Sequence, residues 1–174
     1  MADKKSKDLK FSMEEQKEMA WCWSAVGTSS ALFYNSKSGW TQCKVANKSI
    51  QPAPGNCCKD SKTSACNCTW YLDNAQHLGS FQTTGIHNGY QEGAISFDKL
   101  RSEIDSGRVV AFRMEMDSMY HFVVISGYDT SSDENFVTVN DPFFGGVEIP
   151  YGEFKSKYRG DGSVTHTFFS KPAS

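Results

Sequence analysis

Phe122-Val123-Val124-Ile125 is the stretch that most narrows the folds open to this chain. In an extended backbone Val123 and Ile125 point to one side and Phe122 and Val124 to the other, so both faces need apolar cover. A strand of this kind belongs inside a sheet, and its β-branched and aromatic side chains favour it there. The run opens on His121 and closes on Gly127-Tyr128. Of the four histidines only this one heads a strong strand, and a polar ring at that end is expected at a sheet edge or a cleft. The next apolar run, Phe136-Val137-Thr138-Val139-Asn140, leads straight into Asp141-Pro142, where proline ends the ladder. Pairing of the two strands through the turn from Asp129 to Asn135 puts His121 near Asn140 and Asp141, either of which can orient an imidazole. Neighbouring residues face opposite sides of a strand, so only one of the two can serve.

A reaction partner for that histidine stands far upstream. Gln16 to Ala25 reads Q-K-E-M-A-W-C-W-S-A, and Ala25, Val26, Ser29, Leu32 and Phe33 then recur at the spacing of a helix buried along one face. The helix is predicted to start at Cys22, where aligned peptide dipoles and free N–H groups favour a nucleophilic thiolate. Gln16 carries a side-chain amide that, with the Cys22 backbone N–H, suits the oxyanion formed when a carbonyl is attacked; loss of one such donor costs about 10²–10³ in rate. A buried core thiol beside a solvated glutamine also fits this segment taken alone. Counted together with His121 and an orienting Asn140 or Asp141, the set points to nucleophilic catalysis.

The rest of the chain sets the frame. Its 174 residues suit one domain, and a net charge of −2 gives no basic excess for nucleic acid or an anionic membrane surface. No apolar run approaches the roughly 20 residues of a membrane-spanning helix, so no membrane insertion is expected. The lysine-rich start lacks the apolar core of a secretory signal. Residues 1–11 are expected to form a disordered leader and 12–174 a single domain, with Ser12 and Glu15 matching the S-x-x-E cap of a short turn. Further helices are predicted over 42–49, with Val45 and Ala46 inward, and over 69–78, capped by Asn67 and ended by Gly79. A third spans 97–106, with Ser96 as N-cap and Gly107 just past its end. Residues 83–93 read as irregular, and strands are predicted over 108–116, from His121, over 136–140, over 147–149 and over 164–169. Helices first and antiparallel strands later is the α+β order.

Gln16, Cys22, Trp23, His121, Gly127, Tyr128 and Asp141 reproduce the patterns Q-x5-C-W and H-x5-G-Y, with D-P after the second strand. In these residues the chain resembles the papain-like cysteine peptidases, and most of all two compact bacterial branches. One comprises the double-glycine peptidases of bacteriocin exporters; the other comprises avirulence proteases injected into plant cells, which the run Thr41 to Asn47 and the cysteines after it resemble more. The departures are a methionine, Met19, where plant-type enzymes carry a second cysteine, and a nucleophile-to-histidine separation shorter than their roughly 130–150 residues. The resemblance implies a papain-like fold in which a helical lobe carries Cys22 and an antiparallel sheet carries His121 and the third member. It favours Asp141 over Asn140, since the bacterial branches use D-P. It implies acyl transfer to water through a thioester, with Cys22, His121, Asp141 and Gln16 as the site and no cofactor or metal. The partners it implies are a protein or peptide substrate and a cognate inhibitor or immunity protein, for a bacterial effector or toxin that is secreted or delivered into a target cell.

Other chemistries share these residues. The same triad can deamidate glutamine or transfer acyl groups. Cys43, Cys57, Cys58, Cys66 and Cys68 crowd one polar loop and could form disulfides, stay free, or bind a metal in a non-enzymatic docking module, although C-C and C-x-C lack the usual C-x2-4-C spacing. A redox protein is disfavoured because no C-x-x-C occurs. Direct pairing of the adjacent Cys57 and Cys58 is strained, so bridges from this pair to Cys43 and to Cys66 or Cys68 are expected, and bridges would imply an oxidising compartment. Trp21 and Trp23 are expected in the core or on the cleft wall, His77, His87 and His166 as surface or packed histidines, and Gly145-Gly146 in a tight turn.

Overall fold

The computed structural model describes residues 5–174. Five helices, α1 (Cys22–Tyr34), α2 (Gln42–Ser49), α3 (Ser80–Thr84), α4 (Phe97–Asp105) and α5 (Tyr151–Lys157), accompany one antiparallel sheet. Its strands are β1 (Ser6–Asp8), β2 (His87–Glu92), β3 (Val110–Met116), β4 (Met119–Asp129), β5 (Phe136–Asn140), β6 (Val147–Pro150) and β7 (Ser163–Ser170). They run in the order β2-β7-β3-β4-β5-β6, with β1 paired to the end of β4. The α+β architecture expected from the order of elements is the one observed, and none of the helices among the described residues is long and apolar enough to cross a membrane.

β4 is covered on both faces, as its two-sided apolar pattern requires. Phe122 and Val124 pack with Trp21, Trp23 and Val26 of the helical side, whereas Val123 and Ile125 pack with Leu100, Ile104, Phe154 and Tyr158 of α4 and α5. Each such side chain, fully buried, contributes about 1.5–3 kcal/mol. The helix α1 departs from the one-faced expectation: its first ten residues are buried all round, while Leu32 and Phe33 are only partly covered. Small residues permit this. Gly27 lies so close to Ser80 that a Cβ would collide with it, Ser24 Oγ donates to the Gln42 carbonyl, and Ser80 Oγ donates to the Trp23 carbonyl. The helix is thus the axle of its lobe rather than a surface element.

Several expectations need correction. From Lys5 onward the leader expected over 1–11 is ordered: β1 pairs with Gly127–Asp129, and Leu9 and Phe11 pack on the core, which gives this polar segment a ladder and two apolar anchors. The remainder of that expectation, residues 1–4, lies outside the described residues. Ser12 and Glu15 lie outside any turn, so the expected S-x-x-E cap has no turn to close. The helix predicted over 69–78 is replaced by turns, because the Asn74 side chain accepts from the backbone N–H groups of Gln76 and His77 and offers the chain a local alternative. Gln82 then ties Asn74 to Gly79, which begins α3 instead of ending a helix. The stretch 83–93, read as irregular, contains β2, an exposed edge strand that the pairing with β7 creates without apolar alternation. α5 has no counterpart in the sequence reading; only Tyr151 and Phe154 in it are buried. By contrast α2, α4 with its Ser96 cap, and β5 fall where predicted.

The loop after α2 is stapled by Cys43–Cys58 and Cys57–Cys66, leaving Cys68 and Cys22 free. The pairing agrees with the expected bridges, and it consumes the thiolates a metal module would need. Trp21 and Trp23 lie in the core, and their ring N–H groups donate to the Cys66 and Cys68 carbonyls at 2.7 and 2.9 Å. The stapled loop is therefore bolted to the start of α1.

Gly127 carries the attachment of β1, since a Cβ there would stand 2.7 Å from the Lys7 carbonyl oxygen and 3.0 Å from Thr138 Oγ1. Gly127→Ala is expected to cost about 1–3 kcal/mol of stability. Gly152→Ala, with open space around it in α5, is expected to add about 0.4–1 kcal/mol. Denaturant unfolding of both variants checks this, and equal effects would contradict the packing described.

Candidate active site

Cys22 is the first residue of α1, and Trp21 before it supplies no capping side chain. The first-turn N–H groups have no carbonyl four residues back, so they are available around the thiol. Cys22 is 5% exposed and lines a groove of about 760 Å³. The segment before it is held from several sides: Ala20 N–H donates to Asn67 Oδ1, Glu18 accepts from Ser61 Oγ, and Lys17 N–H donates to Gln42 Oε1. Gln16 N–H donates to the Pro142 carbonyl at 2.9 Å, which links this segment to the loop after β5 on the opposite wall.

His121 lies on β4, buried to 3% exposure, and its Nε2 is 2.9 Å from Asp141 Oδ1. With Nε2–H given to the carboxylate, the other ring nitrogen is left for Cys22, whose side chain lies close enough to raise the pKa of the same imidazole. Burial opposes a charge on this ring, but the hydrogen bonds and charges of Asp141 and Cys22 outweigh it and hold the His121 pKa at about 9. Asp141 is buried as well, which alone would raise its pKa; the hydrogen bond and charge of His121, with help from the Phe144 N–H and Tyr158, hold it below the ordinary carboxylate value. The pair is therefore an imidazolium beside a carboxylate over the neutral range.

Asn140 and Asp141 touch different partners. Asn140 Nδ2 donates to Ser126 Oγ at 2.8 Å and to the Val124 carbonyl at 3.4 Å, away from His121. Asp141 Oδ1 accepts from His121 and from the N–H groups of Phe143 and Phe144 at 2.8 and 2.9 Å, and Oδ2 accepts from Tyr158 OH at 2.7 Å. The carboxylate so folds the Asp141-Pro142-Phe143-Phe144-Gly145 turn around itself, closed by Gly145 N–H to the Asp141 carbonyl at 3.0 Å. That is the role of the first glycine of Gly145-Gly146, at φ 82°.

Gln16 lines the same groove as Cys22 and His121. Its amide nitrogen donates to the Glu18 and Met19 carbonyls at 3.0 and 2.7 Å, while its Oε1 is buried with no partner among the described residues. All four expected residues thus come together, with the Gln16 amide turned toward its own loop. His77 stacks on Tyr71, His87 is exposed in β2 and His166 sits in β7 against Phe168, and none of the three lines this groove.

The sequence reading missed the groove's rim and its back. Met19, Met119, Tyr120, Phe143 and Phe144 are five of the seven large exposed apolar side chains among the described residues, and all five line this groove. Behind the carboxylate stand Tyr158 and Arg159, the latter with its guanidinium 4.5 Å from the centre of the Phe144 ring. No spacing in the sequence ties either to the Q-x5-C-W or H-x5-G-Y patterns.

Residues 8–166 match the model of a family described as Peptidase_C39 like. Among solved structures, the chain is similar to a double glycine motif protease from an AMS/PCAT transporter, in complex with the leader peptide. The two share 18% identity over 94% of each chain with a TM-score of 0.53, a likeness of fold. No curated protein matches significantly.

The His121–Asp141 pair has a pH signature. A folded-state pKa of about 9 against an ordinary 6.5 means that the stabilisation from His121 is full below about 6.5 and lost as pH rises to about 9. Asp141, lowered, contributes above its ordinary 3.8 and loses its contribution as pH falls through the folded value. The melting temperature of the wild type is expected to decline between pH 6.5 and 9, and that of Asp141→Asn to start lower and decline less. Parallel curves for the two proteins would show that the pair is not coupled as described.

Proposed function

The chain belongs to the Peptidase_C39-like family of papain-like cysteine peptidases, and from that premise we propose that it cleaves peptide bonds in a protein substrate through Cys22, His121 and Asp141. The observation that carries the assignment is His121 hydrogen-bonded to Asp141 while Cys22 lies beside the same ring, both lining one groove. The Cys22 thiolate attacks the scissile carbonyl carbon, and the carbonyl electrons move onto oxygen. The Cys22 N–H and the Gln16 amide receive that oxyanion, the substrate oxygen competing with the Met19 carbonyl for the Gln16 N–H. The imidazolium of His121 gives its proton to the departing amine, leaving a thioester on Cys22. His121 then takes a proton from water as the water oxygen attacks the thioester, and the released acid restores thiolate and imidazolium. Asp141 stays ionised throughout and keeps the ring aimed.

The rim supports a peptide carrying uncharged, apolar side chains. Its exposed methionine and aromatic groups form one patch around the thiol, which marks an interaction surface, and methionine adapts to irregular partners. The similar double glycine motif protease is in complex with a leader peptide, which is in keeping with a peptide occupant here. The two disulfides support maturation in an oxidising place, and with the resemblance of Thr41 to Asn47 to injected proteases they favour a bacterial protein secreted or delivered into another cell. On that reading a cognate inhibitor in the producer would cover the same groove.

A peptide library digested by the wild type and by Cys22→Ala tests the proposal. Cleavage by the wild type alone, next to apolar residues, is expected; an uncut partner one dalton heavier would instead mark a deamidase. Asp141→Ala should lower kcat far more than Asn140→Ala, and Gln16→Ala should lower it by about 10²–10³ with folding intact. A wild-type rate in Gln16→Ala would remove that residue from the site, and greater damage from Asn140→Ala would reverse the third-member assignment.

A further inference from the structure

The Asp141 side chain is 0% exposed, and its two oxygens are served unequally. Oδ1 accepts three hydrogen bonds, whereas the one hydrogen bond to Oδ2 among the described residues comes from Tyr158 OH at 2.7 Å; Arg159 Nε stands at 3.9 Å, beyond bonding distance. Tyr158 is 0% exposed, its ring packed edge-on against Phe154. Its backbone is fixed by two hydrogen bonds with Gly162, at 2.9 and 2.8 Å, in the turn that follows α5. Arg159 braces the arrangement from outside, its Nε 3.3 Å from Tyr158 OH and its Nη2 3.4 Å from the Phe144 carbonyl. Burial first, and the neighbouring Asp141 charge second, push the phenol pKa up, so Tyr158 remains a donor at any working pH.

Resting on the peptidase reading, we propose that Tyr158 is a positioning residue of the reaction: it pins Asp141 Oδ2 so that Oδ1 stays aimed at His121 Nε2, and it acts on Cys22 only through that pair. Without the phenol hydroxyl, a buried charged oxygen has no donor. The carboxylate then turns to share the Phe143 and Phe144 N–H groups between its oxygens, and the bond to His121 lengthens. The imidazolium loses support, and its placement against Cys22 is no longer fixed.

Tyr158→Phe keeps the ring and its packing and removes only the hydroxyl. In the full chain, labelled with ¹⁵N, the His121 ring is titrated by NMR beside the wild type. The expected result is a midpoint moved down from about 9 toward the ordinary 6.5. On a peptide that the wild type cleaves, kcat is expected to fall roughly tenfold with KM little changed. Arg159→Gln leaves the Tyr158–Asp141 bond in place and is expected not to lower the midpoint. An unchanged or raised midpoint in Tyr158→Phe overturns the proposal even if its melting temperature falls, because a purely structural hydroxyl would do only that. Failure of Tyr158→Phe to fold, or an equal downward shift in Arg159→Gln, also counts against it. If the wild type cleaves no peptide, the peptidase reading fails while the titration still decides whether Tyr158 governs His121.

Discussion

A carboxylate buried at the meeting point of a strand end, a turn and a distant helix end is the constraint on which this site depends. An unpaired charge in such a place is very costly, and it persists only where donors surround it. Asp141 meets that condition with four, from His121, two backbone amides and Tyr158, which matches the acceptor capacity of its two oxygens. Three consequences follow from one group. The ring of His121 is aimed and kept charged, the turn that carries Phe143 and Phe144 into the groove is folded, and α5 is tied to the sheet through Tyr158. Chemistry and groove shape are thus coupled through one side chain.

The opposite wall is built by different means. The loop between α2 and α3 has little apolar surface, and two disulfides hold it where Asn67, Cys66 and Cys68 can bond the Ala20–Trp23 segment. Buried Gln42 adds a second brace, giving hydrogen bonds to Glu14 and the Glu15 carbonyl and receiving one from Lys17 N–H. The groove therefore lies between a covalently stapled wall beside Cys22 and a hydrogen-bonded wall beside His121. The Gln16 N–H to Pro142 carbonyl bond spans the two.

What the sequence revealed and what it concealed divide along physical lines. β4 was legible because a strand covered on both faces must be apolar at every position, and β5 because a β-branched run stops at proline. The same alternation separates Asp141 from Asn140, whose amide bonds Ser126 instead. The strain of linking neighbours points the Cys57-Cys58 pair to Cys43 and to Cys66 or Cys68, and only the fold decides for Cys43–Cys58 and Cys57–Cys66. Tyr158 was hidden because its contact with Asp141 depends on the course of α5 and the turn after it, and a lone tyrosine in a polar stretch carries no period. β2 was hidden because an edge strand with every residue exposed needs only a partner's ladder. The 69–78 helix was overcalled where Asn74 bonds its own backbone, a local choice that propensity over a window does not register.

The central claim is that Cys22 is activated by His121 rather than by exposure, and the two free cysteines provide an internal comparison. Cys68 is the more accessible thiol, and burial pushes its pKa up, whereas Cys22 is 5% exposed and lies beside a charged imidazole. Alkylation by iodoacetamide at pH 6, with disulfides intact and both sites followed by mass spectrometry, separates the two influences. Faster modification of Cys22 than of Cys68, abolished in His121→Ala, is the predicted result; equal rates, or Cys68 reacting first, would contradict the account.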